Sequence, residues 1–266
     1  MSIRSLGNPS VGYNAVMSKT GDGASEPYPY VPYTTTDLIL DVDASKSSSY
    51  GGSGTTWTNI ASGGGANFTI DGATYDASEG DGSFYFDGSN DIVYSASSYD
   101  LSSYNYIFVD MSFKADNATQ IHLVFEHSQS WNSNGGAFGF AVNTDGNYPD
   151  INQIHSNHNS GGAANWNYSI NTDWAIYGAQ FAKTGTNTRK QYMNGQLVNF
   201  TTGNPYANPG SSFDDYVVYL GSRYGGVAPA KGYIGYCRVY GSASELSAST
   251  ILNNYNAVKS RYDGLN

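Results

Sequence analysis

The stretch KGYIGYCRVY, GSASELSAST, ILNNYNAVKSRY, which runs from residue 231 to residue 262, decides the fold class of this chain. It predicts a β-strand, then a polar turn, then one isolated helix. Within the helix, Ile251, Tyr255, Val258 and Tyr262 recur at spacings of four, three and four residues. One apolar stripe along a single helix face follows from these spacings, so we expect the helix to dock on the sheet that contains the strand.

Residues at both ends of this segment fit a helix. Ser247 can cap its N-terminus. Lys259 and Arg261 suit the negative end of the helix dipole, and Gly264 suits the stop. In the preceding strand, strict alternation places Tyr233 and Cys237 on one face, and the other face takes Ile234, Tyr236 and Arg238.

Most of the chain before this stretch predicts short strands separated by turns rich in Gly, Asn and Ser. The candidate strands are 37–43, 55–59, 83–86, 92–94, 106–114, 121–127, 138–143, 175–183, 189–193, 196–200, 216–220 and 233–240. Strands of roughly 5–6 residues in this number favour two packed antiparallel sheets. The firmest local prediction is a two-residue hairpin turn at Asn194 and Gly195, both of which then need positive φ.

Composition excludes several classes of partner. Only 13% of residues are charged and the formal net charge is -10, without any basic run, so we do not expect nucleic-acid binding. No apolar stretch approaches the length of a membrane span, and the N-terminus carries no signal-peptide core. Cys237 is the only cysteine, which fits a protein that folds in a reducing compartment such as a cytoplasm, and we expect a buried structural thiol.

The first 36 residues differ from the rest. They contain scattered apolar residues without a periodic pattern, then prolines at 27, 29 and 32 that favour an extended path. Two interpretations stay open: a linker, or a docking arm that buries residues in a neighbouring subunit. The candidate arm contacts are Ile3, Leu6, Val11, Val16, Met17, Tyr28 and Tyr30. We expect residues 1–36 to form an extended N-terminal arm and 37–266 to form the folded domain.

Three motifs in order carry a family resemblance. They are the SFYFDGSNDIVY hairpin at 83–94, the YMNGQLV hairpin at 192–198, and the closing strand and helix. Together they resemble the concanavalin A-like lectin/glucanase superfamily, and within it the laminin-G-like branch. The resemblance covers residues 37–262. It implies an all-β, two-sheet antiparallel jelly-roll sandwich with one C-terminal helix.

A narrower resemblance concerns the two ends of the domain. Asp43-Ala-Ser near the start and NNYNAVKSRY at 253–262 are similar to domains in structural proteins of tailed bacteriophages, especially marine ones. This resemblance implies a non-enzymatic virion surface protein, present in several copies or as a homo-oligomer and fixed to capsid or tail proteins by its arm. Host-surface glycan is a further expected partner. The alternative is a dedicated receptor-binding lectin of a tail fibre.

A glycoside hydrolase is the disfavoured third hypothesis. The retaining chemistry needs two carboxylates that flank the scissile bond. The chain has only four glutamates, and none has a second at a spacing of four or five residues. Asp41 and Asp43 share a strand face, but at the edge of the domain we expect them to cap turns. The sequence therefore predicts no enzymatic activity.

Metal binding is weakly indicated. His155 and His158 lie in a Gly/Asn-rich segment that predicts a loop, without a cysteine or carboxylate cluster, and we expect them to be solvated. His122 and His127 fall in a predicted strand and are expected to be structural. The family resemblance implies calcium as the alternative to no cofactor at all, with candidate ligands Asp87, Asn90 and Asp91.

Tryptophans supply the candidates for contact with a sugar. Trp57 and Trp174 match structural positions of the family, so we expect core packing. Trp131 and Trp166 instead fall in stretches that predict polar loops. An aromatic face beside amide groups can bind a glycan or pack against a neighbouring subunit, and both interpretations stay open. The full set of contact candidates is Trp131, Asn132, Asn165, Trp166 and Tyr168.

Overall fold

The computed structural model describes residues 32–116, 121–128, 135–143, 151–157, 164–167, 172–183, 189–198, 202–203 and 212–265. At 121, 143, 151–157, 164–167 and 202–203 only the backbone is described. The fold lies within one compact unit, Val31–Asn266. The arm candidates Ile3, Leu6, Val11, Val16, Met17, Tyr28 and Tyr30 lie outside the described residues, and the division at residue 36 stays a prediction.

The described residues form nineteen strands and one α-helix. The strands are β1 Leu38–Asp43, β2 Thr56–Trp57, β3 Phe68–Asp71, β4 Thr74–Asp76, β5 Ser83–Asp87, β6 Ile92–Ser95, β7 Tyr99–Asp100, β8 Tyr106–Ala115, β9 Ile121–His127, β10 Ala137–Asn143, β11 Ile151–Asn157, β12 Ala164–Asn167, β13 Trp174–Ala182, β14 Arg189–Met193, β15 Gln196–Leu197, β16 Thr202–Gly203, β17 Asp215–Tyr216, β18 Val218–Leu220 and β19 Lys231–Ser242. The helix α1 is Ala248–Asn256.

Two antiparallel sheets form a sandwich, which confirms the predicted fold class. Sheet A has the order β15-β14-β13-β8-β19-β5-β4, and β1 pairs with β19 beyond the end of β5. Sheet B has the order β16-β12-β11-β10-β9-β18-β6-β3-β2. The short strands β7 and β17 form a separate pair. Apolar side chains from the inner faces of both sheets build one main core, which includes Val42, Trp57, Phe84, Val109, Phe125, Phe140, Ala179 and Val239.

The strand β19 contains a β-bulge that corrects the predicted alternation. Ile234 pairs with Phe113 and Cys237 pairs with Met111, so two residues of β19 stand opposite Ser112 alone. The backbone N–H groups of both extra residues donate to the Ser112 hydroxyl at 3.1 Å. A bulge shifts the side-chain alternation by one residue. Ile234 therefore joins Cys237 in the core, whereas Tyr233 does not share the face of Cys237 as predicted.

The C-terminal segment covers the outer face of sheet A, as the apolar stripe predicted. Ile251 packs with Phe108 and Tyr192, and a second cluster joins Trp174 to Tyr262. The Ser247 hydroxyl accepts from the backbone N–H of Thr250, which confirms the predicted cap. In the described part of the chain, the α-helix therefore covers sheet A, and no α-helix covers sheet B.

The helix is shorter than predicted. α1 ends at Asn256, and a single 3-10 turn at Lys259–Arg261 follows it. Arg261 does not serve the helix dipole. Its guanidinium forms two bonds of 2.9 Å to the Asp43 carboxylate, which is buried. A bidentate pair with a buried carboxylate is a stronger interaction than an exposed helix end can offer.

A buried ionic cluster lies beneath this segment. Arg238 is fully buried and faces Asp41 at 3.3 Å, Asp43 at 3.5 Å and Asp110 at 3.9 Å. The Tyr33 ring covers the Arg238 guanidinium at 3.6 Å. The two aspartates of β1 were predicted to cap turns. Asp43 does so, since its Oδ1 accepts from the backbone N–H of Ser45 at 3.1 Å, but both carboxylates also have a role that was not predicted. Their register opposite β19 makes them the counter-ions of a buried arginine.

The Asn-Gly hairpin is confirmed. Asn194 and Gly195 join β14 to β15 with φ of 50° and 75°.

No helix among the described residues is long and apolar enough to cross a membrane.

Candidate functional site

One register row crosses seven strands on the outer face of sheet B. Antiparallel pairing places its members directly opposite one another, so these positions share one face of the sheet. The positions are Thr56, Thr69, Tyr94, Tyr219, Glu126, Gly139 and His155. Exposure falls along the row from Thr56, which is exposed, through half-buried Tyr94 to Glu126, which is fully buried.

Glu126 is the unexpected member of this row. A fully buried carboxylate is costly unless it is paired. Arg223 Nε donates to Glu126 Oε2 at 2.9 Å, and the Ser128 hydroxyl donates to Oε1. Burial raises the pKa of Glu126 above its ordinary value, while Ser128 and Arg223 act in the opposite direction. The pair therefore holds a donor group and an acceptor group together on this face.

A hairpin at residues 221–230 positions Arg223. The backbone N–H of Arg223 donates to the Val227 carbonyl at 3.0 Å, and the N–H of Ala230 donates to the Gly221 carbonyl at 2.7 Å. Gly221 has φ of 73°, and a Cβ there would lie 2.1 Å from the Phe86 ring. Only glycine fits this position without displacing the ring. The hairpin is consequently fixed at its base against the core.

Exposed apolar surface gathers at the tip of this hairpin. Tyr224 is 58% exposed and Val227 is 55% exposed. The Tyr224 ring meets Tyr219 edge-on, with centroids 6.0 Å apart. Burial, and then the nearby Tyr224 and Glu126, raise the pKa of Tyr219. An aromatic surface thus stands beside the Glu126–Arg223 pair.

This arrangement suits binding of a polyhydroxylated ligand. The guanidinium N–H groups donate hydrogen bonds, tyrosine hydroxyls donate and accept them, and aromatic rings supply apolar contact. Binding sites for small ligands combine apolar and aromatic surface with a few polar groups in this way. We call the set Glu126, Arg223, Tyr219, Tyr224 and Tyr94 the tyrosine–arginine site.

Of the five contact residues predicted from the sequence, two lie in sheet B and three lie outside the described residues. Trp131, Asn132 and Tyr168 lie outside the described residues. Asn165 and Trp166 were predicted to lie in a loop, which was wrong, because they belong to strand β12. His155 was likewise placed in a loop and lies in strand β11. Each of these two strands contains two Asn residues, and the prediction of a loop followed because Asn is depleted in strands.

Backbone register separates the two β12 candidates. Position 165 pairs with 153, which pairs with Ala141, and position 166 pairs with 152, which pairs with Val142. Val142 belongs to the main core, whereas Ala141 does not. By register, position 165 therefore shares the face of Glu126, and position 166 shares the opposite one.

The calcium candidates are engaged in a turn. Asp91 Oδ2 accepts from the backbone N–H of Asp87 at 2.8 Å, and Asp87 Oδ1 accepts from the N–H of Ser89 at 2.7 Å. Burial raises the pKa of Asp91. The described residues bring together no group of three or more His, Cys, Asp or Glu side chains that could hold a metal ion. Calcium binding through Asp87, Asn90 and Asp91 stays a prediction.

The expected structural residues are confirmed as buried. Trp57, His122 and His127 have no exposed surface, and Trp174 is 4% exposed. The Glu126–Arg223 pair was missed, since 97 residues separate its members. The available signal was a glutamate inside the apolar alternation of strand 121–127.

Comparison with known proteins gives a fold and no family. No protein-family model matches the chain, and no curated protein matches it. Domain 4 of an extracellular GH43 arabinanase from Geobacillus stearothermophilus, solved with arabinotriose, is 14% identical with a TM-score of 0.59. The match covers 82% of this chain and 98% of that domain.

Two further solved structures show the same sandwich. The sialidase of Trypanosoma rangeli, solved with sialic acid, is 13% identical with a TM-score of 0.57, over 85% of this chain and 33% of the enzyme. The binding domain of botulinum neurotoxin DC, solved with rat synaptotagmin II, is 10% identical with a TM-score of 0.58, over 84% and 52%. At such identities the likeness establishes the β-sandwich, consistent with a concanavalin A-like fold, and spans only part of the two larger proteins.

Proposed function

We propose that this chain is a non-enzymatic glycan-binding sandwich domain, with the tyrosine–arginine site as its contact surface. The observation that carries the proposal is the fixed hairpin that sets exposed Tyr224 next to half-buried Arg223, which is paired with buried Glu126. Two structural neighbours are complexes with arabinotriose and sialic acid, and cell entry of botulinum neurotoxin type C, a third neighbour, depends on gangliosides. These ligands support a carbohydrate ligand for this chain.

We also propose that Glu126 does not take part in hydrolysis of the ligand. Both oxygens of the Glu126 carboxylate already accept hydrogen bonds, and the group is fully buried. A general acid or nucleophile must reach the scissile bond. The sequence also lacks closely spaced glutamates. Sugar release from any bound polysaccharide would contradict this part of the proposal.

Replacement of Tyr224 by alanine tests the site. We expect the association constant for a polysaccharide ligand to fall about tenfold, equivalent to about 1.4 kcal/mol, because the exposed ring supplies most of the apolar contact. The measurement is affinity gel electrophoresis against a panel of neutral and anionic polysaccharides. Leu197→Ala is the matched control, since Leu197 is 57% exposed on sheet A. Equal losses in the two variants, or no binding by the native chain, would contradict the proposal.

The setting we propose is the surface of a tailed-phage particle, with several copies assembled in the host cytoplasm and attached to capsid or tail proteins. This rests on the sequence resemblance at the domain ends and on the composition of residues 1–31. The alternative is a tail-fibre lectin whose main role is recognition of host polysaccharide. The two differ in whether particles assemble normally without glycan binding.

Deletion of residues 1–31 tests the attachment. We expect the shortened protein to fold normally but to be absent from purified particles, as measured by mass spectrometry of the virions. The deletion must stop before Tyr33, because the Tyr33 hydroxyl donates to Asp41 at 2.5 Å and its ring covers Arg238. Normal incorporation of the shortened chain would overturn the docking role of the arm.

A further inference from the structure

The cations of this chain are distributed very unevenly between the two sheets. Twelve Lys and Arg residues are present. Seven of them lie in strands of sheet A or within three residues of one, two lie in the 3-10 turn Lys259–Arg261, and two lie in the first 31 residues. Arg223 is the remaining one. From residue 121 to residue 167, which spans β9 to β12 and their connections, the sequence contains no Lys or Arg at all.

Arg223 does not offer a free positive charge. Its guanidinium is bonded to Glu126 at 2.9 Å, and that carboxylate is fully buried, so water screens it poorly. The pair is close to neutral as a unit. Acidic residues add negative charge to the same part of the chain, because the sequence 121–167 also contains Asp145 and Asp150.

An anionic sugar would therefore find no uncompensated cation among the described residues of this face. To bind the Arg223 guanidinium, a sulfate or carboxylate group must approach within a few ångströms of the Glu126 carboxylate or displace it. Either route is unfavourable, since like charges repel and a displaced buried carboxylate loses its partner. A neutral sugar meets neither cost, because its hydroxyl groups can accept from the guanidinium and exchange hydrogen bonds with tyrosine hydroxyls.

We infer that the ligand of the tyrosine–arginine site is a neutral polysaccharide and that Glu126 is the residue that rejects anionic ones. This rests on the proposed function and adds the ligand class to it. Glu126 determines which class of polysaccharide binds, because it weakens the binding of anionic polymers. It neutralises Arg223 and opposes incoming negative charge, a repulsive element of the kind that specific binding sites use.

The inference predicts how binding by the native chain depends on charge and salt. In affinity electrophoresis with dextran, mannan, galactan and arabinan, and with dextran sulfate and alginate as anionic probes, we expect retardation by at least one neutral polymer. Retardation by the anionic polymers should be at least tenfold weaker. Binding to the neutral polymer should change little with ionic strength, because no net charge is neutralised.

Glu126→Gln separates specificity from binding. The amide keeps the size of the side chain and one oxygen for Arg223, but it removes the negative charge beside the guanidinium. We expect binding of dextran sulfate, measured relative to that of the neutral polymer, to rise at least tenfold in this variant and to become salt-dependent. Arg223→Gln in the same background should abolish the gain. If Glu126→Gln proves insoluble, Arg223→Gln in the native chain is the second variant to measure. We expect it to bind anionic polymers no better than the native chain does.

The outcomes distinguish the inference from the function on which it rests. Preferential, salt-dependent binding of dextran sulfate or alginate by the native chain, lost in Tyr224→Ala, would overturn the neutral ligand class and leave the glycan-binding function standing. Unchanged selectivity in a folded Glu126→Gln variant would overturn the role of Glu126. Absence of binding to every polymer in the panel would contradict the function and the inference together.

Discussion

Replacement of Arg238 by methionine should lower the free energy of unfolding by about 3–5 kcal/mol, the largest effect we expect from one substitution in this domain. Arg238 is fully buried and lies within 4 Å of carboxylate oxygens on Asp41, Asp43 and Asp110. Removal of the guanidinium leaves Asp41 and Asp110 in a low-dielectric site without this partner. Typical domains have only about 5–15 kcal/mol of stability, so the loss is a large fraction of the total.

Urea unfolding followed by tryptophan fluorescence measures this loss. Lys190→Met is the matched control, because it breaks the exposed ion pair with Glu245 and should cost about 0–1 kcal/mol. Addition of Asp110→Asn to Arg238→Met should restore part of the stability, and this double variant keeps the test open if the single one does not fold. A loss no larger than that of Lys190→Met would show that the cluster is solvated.

The sequence predicts well those parts of the fold whose signals are local. Strands β9 and β14 have the predicted bounds, since their alternation or turn signals are local. The Asn194–Gly195 turn is likewise a local property, because both residues tolerate positive φ. Where one residue or its neighbour in sequence decides the conformation, the prediction was right.

Features that depend on a distant partner were not predictable in this way. The bulge in β19 exists because one hydroxyl, on Ser112, accepts from two successive backbone N–H groups of another strand. Arg261 leaves the helix because Asp43 lies within reach, 218 residues away in sequence. Glu126 and Arg223 likewise form a pair although 97 residues separate them in sequence. The sequence identifies these charges but not their partners, and the partners decide their role.

The dependence of stability on pH should show two buried groups that act in opposite directions. Burial raises the pKa of Asp110 to about 6, although Arg238 and the Tyr236 hydroxyl oppose it. Burial lowers the pKa of His127 to about 4, although its ring Nε2, 3.0 Å from the Tyr99 carbonyl oxygen, opposes the shift. The ordinary values are 3.8 and 6.5. Both groups therefore change their contribution in the same window of roughly pH 4 to 6.5.

The signs follow from which state binds more protons. In this window folded Asp110 holds its proton more tightly than unfolded Asp110 does, so its contribution to stability is present at low pH and is lost as the pH rises. For His127 the unfolded state binds the proton more tightly, so its contribution is present at neutral pH and is lost as the pH falls. Shifts of about two units correspond to about 3 kcal/mol for each group.

Two single substitutions should therefore separate contributions that partly cancel in the native chain. Relative to the native chain, Asp110→Asn should gain about 3 kcal/mol of unfolding free energy between about pH 4 and pH 7, and His127→Gln should lose about as much over the same range. Urea unfolding of all three proteins at several pH values measures both differences, and the Lys190→Met variant should show neither. If the pH profile of each variant ran parallel to that of the native chain, Asp110 and His127 would titrate as they do in the unfolded chain. Their burial, beside Arg238 for Asp110 and beside Phe138 for His127, argues against this outcome.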